Sequence, residues 1–253
     1  MKLPTLFLKS AGMLLLLLPA GPLLASGAHG GHWGYTGDTG PAHWGDLAPE
    51  FSLCKQGRQQ SPVNITGAVA ASLPAIEFSY QPVALDVVNN GHTLKVSYAP
   101  GSHISVAGKQ YELLQFHFHS PSEHEIDGKP ADMVAHLVHK AADGQLGVIG
   151  VLMKKGASNP LMEKILAHLP AHEGEHEKAA IRINVADLLP GKHGYYHYSG
   201  SLTTPPCSEG VNWMVLKTPV EVSAAQIRAF TGIFRHSTRP VQPLNGRRLE
   251  VSN

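Results

Sequence analysis

Gln115-Phe116-His117-Phe118-His119 places two imidazoles at i and i+2, and Met133-Val134-Ala135-His136-Leu137-Val138-His139 places a third inside another apolar run. In an extended strand, residues two apart share a face, so His117 and His119 point one way while Phe116 and Phe118 point into the opposite layer. If the second run pairs with the first, His136 joins them. Three neutral nitrogen donors then form the set that catalytic zinc sites use when a fourth position is kept for water. A lone strand histidine is ordinary core or surface; the pair together with the third is what points to metal.

Spacing alone leaves other chemistries open. His117-x-His119-x-x-x-Glu123 also fits the first metal motif of cupins, in which the Glu is itself a ligand to iron or manganese. A cupin has Gly six residues before the first His, where this chain has Tyr111, and no Pro-x-Gly-x-x-His follows. Copper-zinc superoxide dismutases share the His-x-His pair, export and one disulfide, but need further His and Asp motifs that are missing.

The elements that must position these residues are strands. Short β-patterned runs fall at 75–80, 84–88, 93–98, 103–106, 111–119, 134–138, 147–153 and 210–216. Turn residues separate them, among them Asn89-Asn90-Gly91, Pro100-Gly101, Asp127-Gly128 and Asp143-Gly144. The pattern predicts a single, mainly β domain (α+β by some schemes), with a large, twisted, mostly antiparallel central sheet of about ten strands. Helical signals are few and predict short peripheral helices. Asn159 before Pro160 opens a run through Leu161, Ile165 and Leu169, and Ser223 with Gln226 forms a capping box ahead of Ile227, Phe230 and Phe234. Residues 30–45 read as an extended arm whose aromatics need a surface to cover.

Of the 253 residues, 43% are hydrophobic and 15% charged, enough for one large core and no sign of disorder. Lys2 and Lys9 precede the apolar run Ala11–Leu18, followed by Pro19, Pro22 and small residues up to Ala28. This predicts a secretory signal peptide over residues 1–28, cleaved between Ala25 and Ala28, and a mature domain over 29–253 that is periplasmic or secreted and free of the membrane. Its loss removes two Lys and leaves 18 basic against 19 acidic side chains, so there is no electrostatic footprint for nucleic acid or an anionic membrane. Small-molecule partners are expected. Cys54 and Cys207 are the only cysteines, and in an oxidising compartment they are expected to form a disulfide. Three histidines in a charged segment, His168, His172 and His176, are expected to be solvated surface.

The stretch Gly200-Ser201-Leu202-Thr203-Thr204-Pro205-Pro206-Cys207-Ser208-Glu209-Gly210-Val211-Asn212-Trp213 narrows the choice. With the histidine runs, Ser122-Glu123-His124, Asn89-Asn90-Gly91-His92 and Arg239-Pro240-Val241-Gln242-Pro243-Leu244, it makes the chain resemble the α-class carbonic anhydrases of the exported bacterial kind, from about His32 to the C-terminus. The resemblance implies zinc-dependent, reversible hydration of carbon dioxide to bicarbonate and a proton, with one Zn2+ per chain held by His117, His119 and His136. Zinc lowers its bound water's pKa to about 7, a value established on carbonic anhydrase itself, and so supplies a hydroxide nucleophile.

Other roles follow from the same resemblance. Thr203 orients that nucleophile, with its own proton donated to an ionised Glu123, and its backbone N–H meets the substrate oxygen. Val138, Val148, Leu202, Val211 and Trp213 form the apolar wall for carbon dioxide, with Thr203 and Thr204 beside it. His92 is the proton shuttle, and Tyr35, Asn90 and Thr204 order the intervening waters; Lys95 stands where many members carry a neutral polar residue. Gln115 supports His117, a backbone carbonyl near Ser237 supports His119, and His124 and His139 are buried structural positions. Sulfonamides and small anions are the expected inhibitors, and a homodimer is the expected assembly. The chain departs from the family at Val134: many members have Glu there, accepting the outer N–H of the third ligand, and valine cannot. A non-catalytic carbonic-anhydrase-like protein would have lost a zinc ligand, and this chain keeps all three.

Overall fold

The computed structural model describes Met1 and residues 31–253, and the second of these forms one compact unit, Gly31–Asn253. The leader, apart from Met1, and its cleavage site lie outside the described residues.

A thirteen-stranded sheet runs through the molecule, and its main path has ten strands. In spatial order these are His176–Ile183, Val83–Asn89, Leu94–Ser97, Lys109–His119, Met133–Ala141, Leu146–Lys155, Glu209–Leu216, Tyr195–Ser201, Glu250–Ser252 and Val69–Ala71. Most pairings are antiparallel. The parallel ones within this sheet join Leu146–Lys155 to Glu209–Leu216 and to Val220–Val222, and Glu250–Ser252 to Val69–Ala71. The expected sheet is therefore present, somewhat larger and more mixed than its sequence spacing suggests. His176–Ile183 is an edge strand where the sequence suggested only a solvated segment; its exposed and half-buried residues alternate, but charge on both faces conceals the period.

Period-two alternation divides the central strands between two layers. Phe116, Phe118, Ala135, Leu137, Ile149, Val151 and Met214 go to the main core on one face. The opposite face carries His117, His119 and His136, continued by Val134, Val138, Val148, Trp213 and Tyr198 in a second apolar cluster. The helices are short. Pro160–Leu166 is capped by Asn159, whose side-chain oxygen accepts from the N–H of Leu161 and Met162, and it stops one turn before Leu169. Ala224–Ile233 opens with the expected capping box and buries Phe230 against Phe118.

Candidate active site

Two neighbouring strands build the histidine cluster, Lys109–His119 carrying His117 and His119 and Met133–Ala141 carrying His136. His136 lies directly across the antiparallel ladder from His117, and Val134 lies directly across from His119. One donor nitrogen from each of His117, His119 and His136 falls within 4.8 Å of the others. Ring orientation follows from the outer partners. His117 Nδ1–H donates to Gln115 Oε1 at 2.9 Å, and His119 Nδ1–H donates to the Ser237 carbonyl. Each ring therefore turns an unprotonated Nε2 inward. Burial first, then neighbouring rings, holds His117 and His136 well below the usual histidine range, so they remain neutral.

These observations test whether a metal fits. His119 Nε2 is buried without a hydrogen-bond partner, and a buried lone pair left alone is costly. Three imidazoles on rigid strands, two with their outer nitrogens held by hydrogen bonds, form a donor set suited to zinc. Glu123 stands outside that set. Its Oε1 accepts the Arg239 backbone N–H at 2.9 Å, and its Oε2 lies 3.5 Å from His119 Nε2 and 3.8 Å from His136 Nδ1. Burial raises its pKa, while His119, the Arg239 amide and the Thr203 hydroxyl favour the carboxylate. A divalent cation among the rings would add to the side that keeps it ionised.

His136 is the exception in support. Its Nδ1 faces Glu123, and its Nε2 is buried with no partner. His124 Nδ1 is likewise buried and unpartnered, and the two ring centroids are 6.1 Å apart, too far for a direct bond. The other side of His124 is satisfied: its Nε2 meets Tyr198 Oη at 2.6 Å, Tyr198 meets Ser61 Oγ at 2.8 Å, and Ser61 Oγ accepts the Ser201 N–H at 3.0 Å. Val134 is wholly buried on this face and offers no acceptor.

Val138, Val148, Val211 and Trp213 belong to the same apolar cluster, and Leu202 packs on it. Val138, Val148 and Trp213 stand in one row across three strands. Trp213 lies against His136 with centroids 4.9 Å apart, and its indole N–H donates to the Ser201 carbonyl at 2.9 Å. Thr203 is buried and Thr204 half-buried in a loop closed by Leu202 N–H to Ser208 O (3.0 Å) and Cys207 N–H to Thr204 O (2.9 Å). The Cys54–Cys207 disulfide, with Cα atoms 5.0 Å apart, fastens this loop to the N-terminal segment.

The polar residues converge as well. Tyr35, Asn90, Lys95, Gln115 and Thr204 line a cavity of about 130 Å³ together with His117, His119, Trp33 and Thr93. His92 lines a neighbouring cavity of about 300 Å³ instead, and Trp33 and Tyr35 border both. The His92 ring stacks on Trp33, with centroids 3.6 Å apart and planes 12° from parallel. His139 is buried and bonded to Tyr80 Oη at 2.8 Å, while His168 and His176 pair at the surface with Glu177 and Asp86.

The structure adds residues to which the sequence gave no role at the site. Trp33 was an aromatic in search of a surface, and that surface is His92. Arg239 anchors Glu123 through its backbone, while its buried guanidinium donates to Gln60 Oε1 (2.8 Å), Ser61 O (2.7 Å) and Cys54 O (2.9 Å). Burial lowers its pKa to about 10.

Comparison with known proteins agrees with this geometry. The family model of eukaryotic-type carbonic anhydrase matches residues 39–253. A carbonic anhydrase of Nostoc sp. is 46% identical over 222 residues, covering 85% of this chain and 84% of that protein. The α-carbonic anhydrase of Thermovibrio ammonificans, solved with the inhibitor sulfanilamide, superposes with a TM-score of 0.86 at 47% identity, over 87% of this chain and 99% of that one. A carbonic anhydrase from an active hydrothermal vent chimney also gives 0.86, at 52% identity over 88% of this chain and all of that one. The chain belongs to the α-carbonic anhydrase family.

Proposed function

We propose that this protein is an exported, zinc-dependent enzyme that hydrates carbon dioxide reversibly to bicarbonate and a proton. The observation that carries the reading is the cluster of His117, His119 and His136, with nitrogens turned inward beside buried Glu123 and next to an apolar wall. Zinc, when bound by these three rings, supplies the Lewis acid that makes water nucleophilic near neutral pH.

The chain's own residues do the rest. Glu123, held by the Arg239 amide, accepts the hydrogen bond of the Thr203 hydroxyl and leaves the Thr203 oxygen as an acceptor. That acceptor fixes the remaining proton of the attacking water and so aims a lone pair at the substrate. Val138, Val148, Leu202, Val211 and Trp213 hold the apolar substrate without competing hydrogen bonds, and the Thr203 N–H meets the oxygen on which charge develops. His92 receives the proton across water ordered by Tyr35, Asn90 and Thr204, with Lys95 on the same cavity wall, and passes it to buffer. Sulfonamides and small anions are expected to compete at the metal. Export agrees with the disulfide and with the absence, among the described residues, of any helix long and apolar enough to cross a membrane.

Stopped-flow carbon dioxide hydration paired with metal analysis tests the proposal. Near one zinc per chain and hydration abolished by a sulfonamide are expected; no zinc, or no sulfonamide-sensitive hydration, overturns it.

A further inference from the structure

The segment 171–175 folds back on the turn that carries His92. Gly174 N–H donates to the Asn89 carbonyl (2.8 Å), Asn89 N–H to the Glu175 carbonyl (3.0 Å), and Asn89 Nδ2 to the Pro170 carbonyl (3.2 Å). Docked in this way, the segment lays Glu173 against Gly91, the residue before His92. A Cβ placed on Gly91 would lie 2.5 Å from the Glu173 carboxylate carbon, so the carboxylate occupies the space a side chain would need. Gly91 also has a φ of 81°, and the turn and the close approach both call for glycine. Glu173 and His92 line the same cavity. One face of His92 rests on the Trp33 indole, whose π-system attracts a cation.

We infer that Glu173 is a positioning residue for His92, holding the proton-carrying imidazolium beside a carboxylate at the mouth of the site. The inference rests on the shuttle role proposed for His92.

The groups facing His92 come from each element packed on it: His32 and Tyr35 from the N-terminal arm, Glu173 from the docked segment, and Arg235 and His236 after the helix Ala224–Ile233. Glu173 is the only acid among them. Burial lowers the pKa of His92, Glu173 raises it, and His32 lowers it further. A shuttle must take a proton from a donor that titrates near neutrality and release it to buffer, so its own pKa has to stay close to that range. Burial and His32 work against this match, and Glu173 works for it.

The test is an NMR pH titration of the His92 ring in wild type, Glu173→Gln and Glu173→Asp, alongside hydration turnover in weak buffer. Glu173→Gln is expected to lower the His92 midpoint by roughly 0.2 to 0.7 pH unit, the range of a partly exposed ion pair. Glu173→Asp is expected to retain most of the wild-type value. Weak-buffer turnover of Glu173→Gln is expected to fall by up to about fivefold, the change in proton affinity that 0.7 pH unit represents, and to recover with added imidazole. An unchanged His92 midpoint in folded Glu173→Gln overturns the inference. If the midpoint moves but His92→Ala costs no turnover, the shuttle reading falls while the pairing of Glu173 with His92 stands.

Discussion

In the proposed metal site His136 has the same duty as His117 and His119, with less support. A carbonyl or amide oxygen fixes each of the other two rings, whereas the outer nitrogen of His136 is buried with no hydrogen-bond partner among the protein's groups, as is His124 Nδ1. Partners of this kind typically contribute 10- to 100-fold in metal affinity or activity. Val134→Glu places an acceptor on the correct strand face, opposite His119, and is predicted to slow zinc dissociation by about that factor. Zinc release into a chelator measures it, with Val134→Gln as the uncharged control; equal rates in all three proteins would show that His136 is already held by other means. A second prediction concerns His92, which lines a cavity separate from the one beside His117. Under the proposed shuttle role its contribution is proton export alone, so His92→Ala should lower turnover in weak buffer and leave the binding of carbon dioxide intact. Added imidazole should restore the rate, and no loss in weak buffer would remove His92 from the mechanism.

At the scale of elements, the loop 202–208 carries Thr203 and Thr204 but has only two internal backbone bonds to shape it. Gln60 Nε2–H donates to the Cys207 carbonyl at 3.0 Å, and the Cys54–Cys207 bridge adds a covalent anchor that closes 153 residues of chain. In the chain-entropy account a closed loop of that length stabilises by about 5 kcal/mol. The double variant Cys54→Ser/Cys207→Ser is therefore predicted to unfold at lower denaturant, by up to that amount, and to lose hydration activity before it loses the sheet. Denaturant titration followed by both circular dichroism and turnover checks the order; coincident loss would mean that the bridge serves the whole fold and not the loop. The sheet was legible in the sequence wherever one face is apolar and the other is not, as in Phe116 and Phe118 against His117 and His119. His176–Ile183 was not, because its charges fall on both faces. The histidine cluster could be read because strand period and ladder register fix it. The Arg239 amide on Glu123, Trp33 over His92 and Glu173 against Gly91 could not, since each joins segments that only the folded chain brings together.

The molecule as a whole gives each face of its sheet a different task, one dry core and one site, and it buries neutral histidines in both. That choice makes stability depend on pH. His139, bonded to Tyr80 on the opposite sheet face from the histidine cluster, is the reporter. Burial lowers its folded pKa to about 3, against about 6.5 for an unfolded histidine. Between those values the unfolded chain binds a proton that the folded chain refuses, so unfolding becomes easier as pH falls. The contribution is fully present above about pH 6.5, declines by about 1.4 kcal/mol for each pH unit below it, and is exhausted near pH 3. In His139→Gln that slope is removed. The variant starts less stable at neutral pH because the bond to Tyr80 is altered, and its curve is predicted to converge on that of wild type as pH drops. Urea unfolding of metal-free protein from pH 7 to pH 4 measures both curves without interference from zinc release. Parallel curves would mean that His139 takes up its proton in the folded state, and that the dry face tolerates a charge which its burial and its Tyr80 partner argue it excludes.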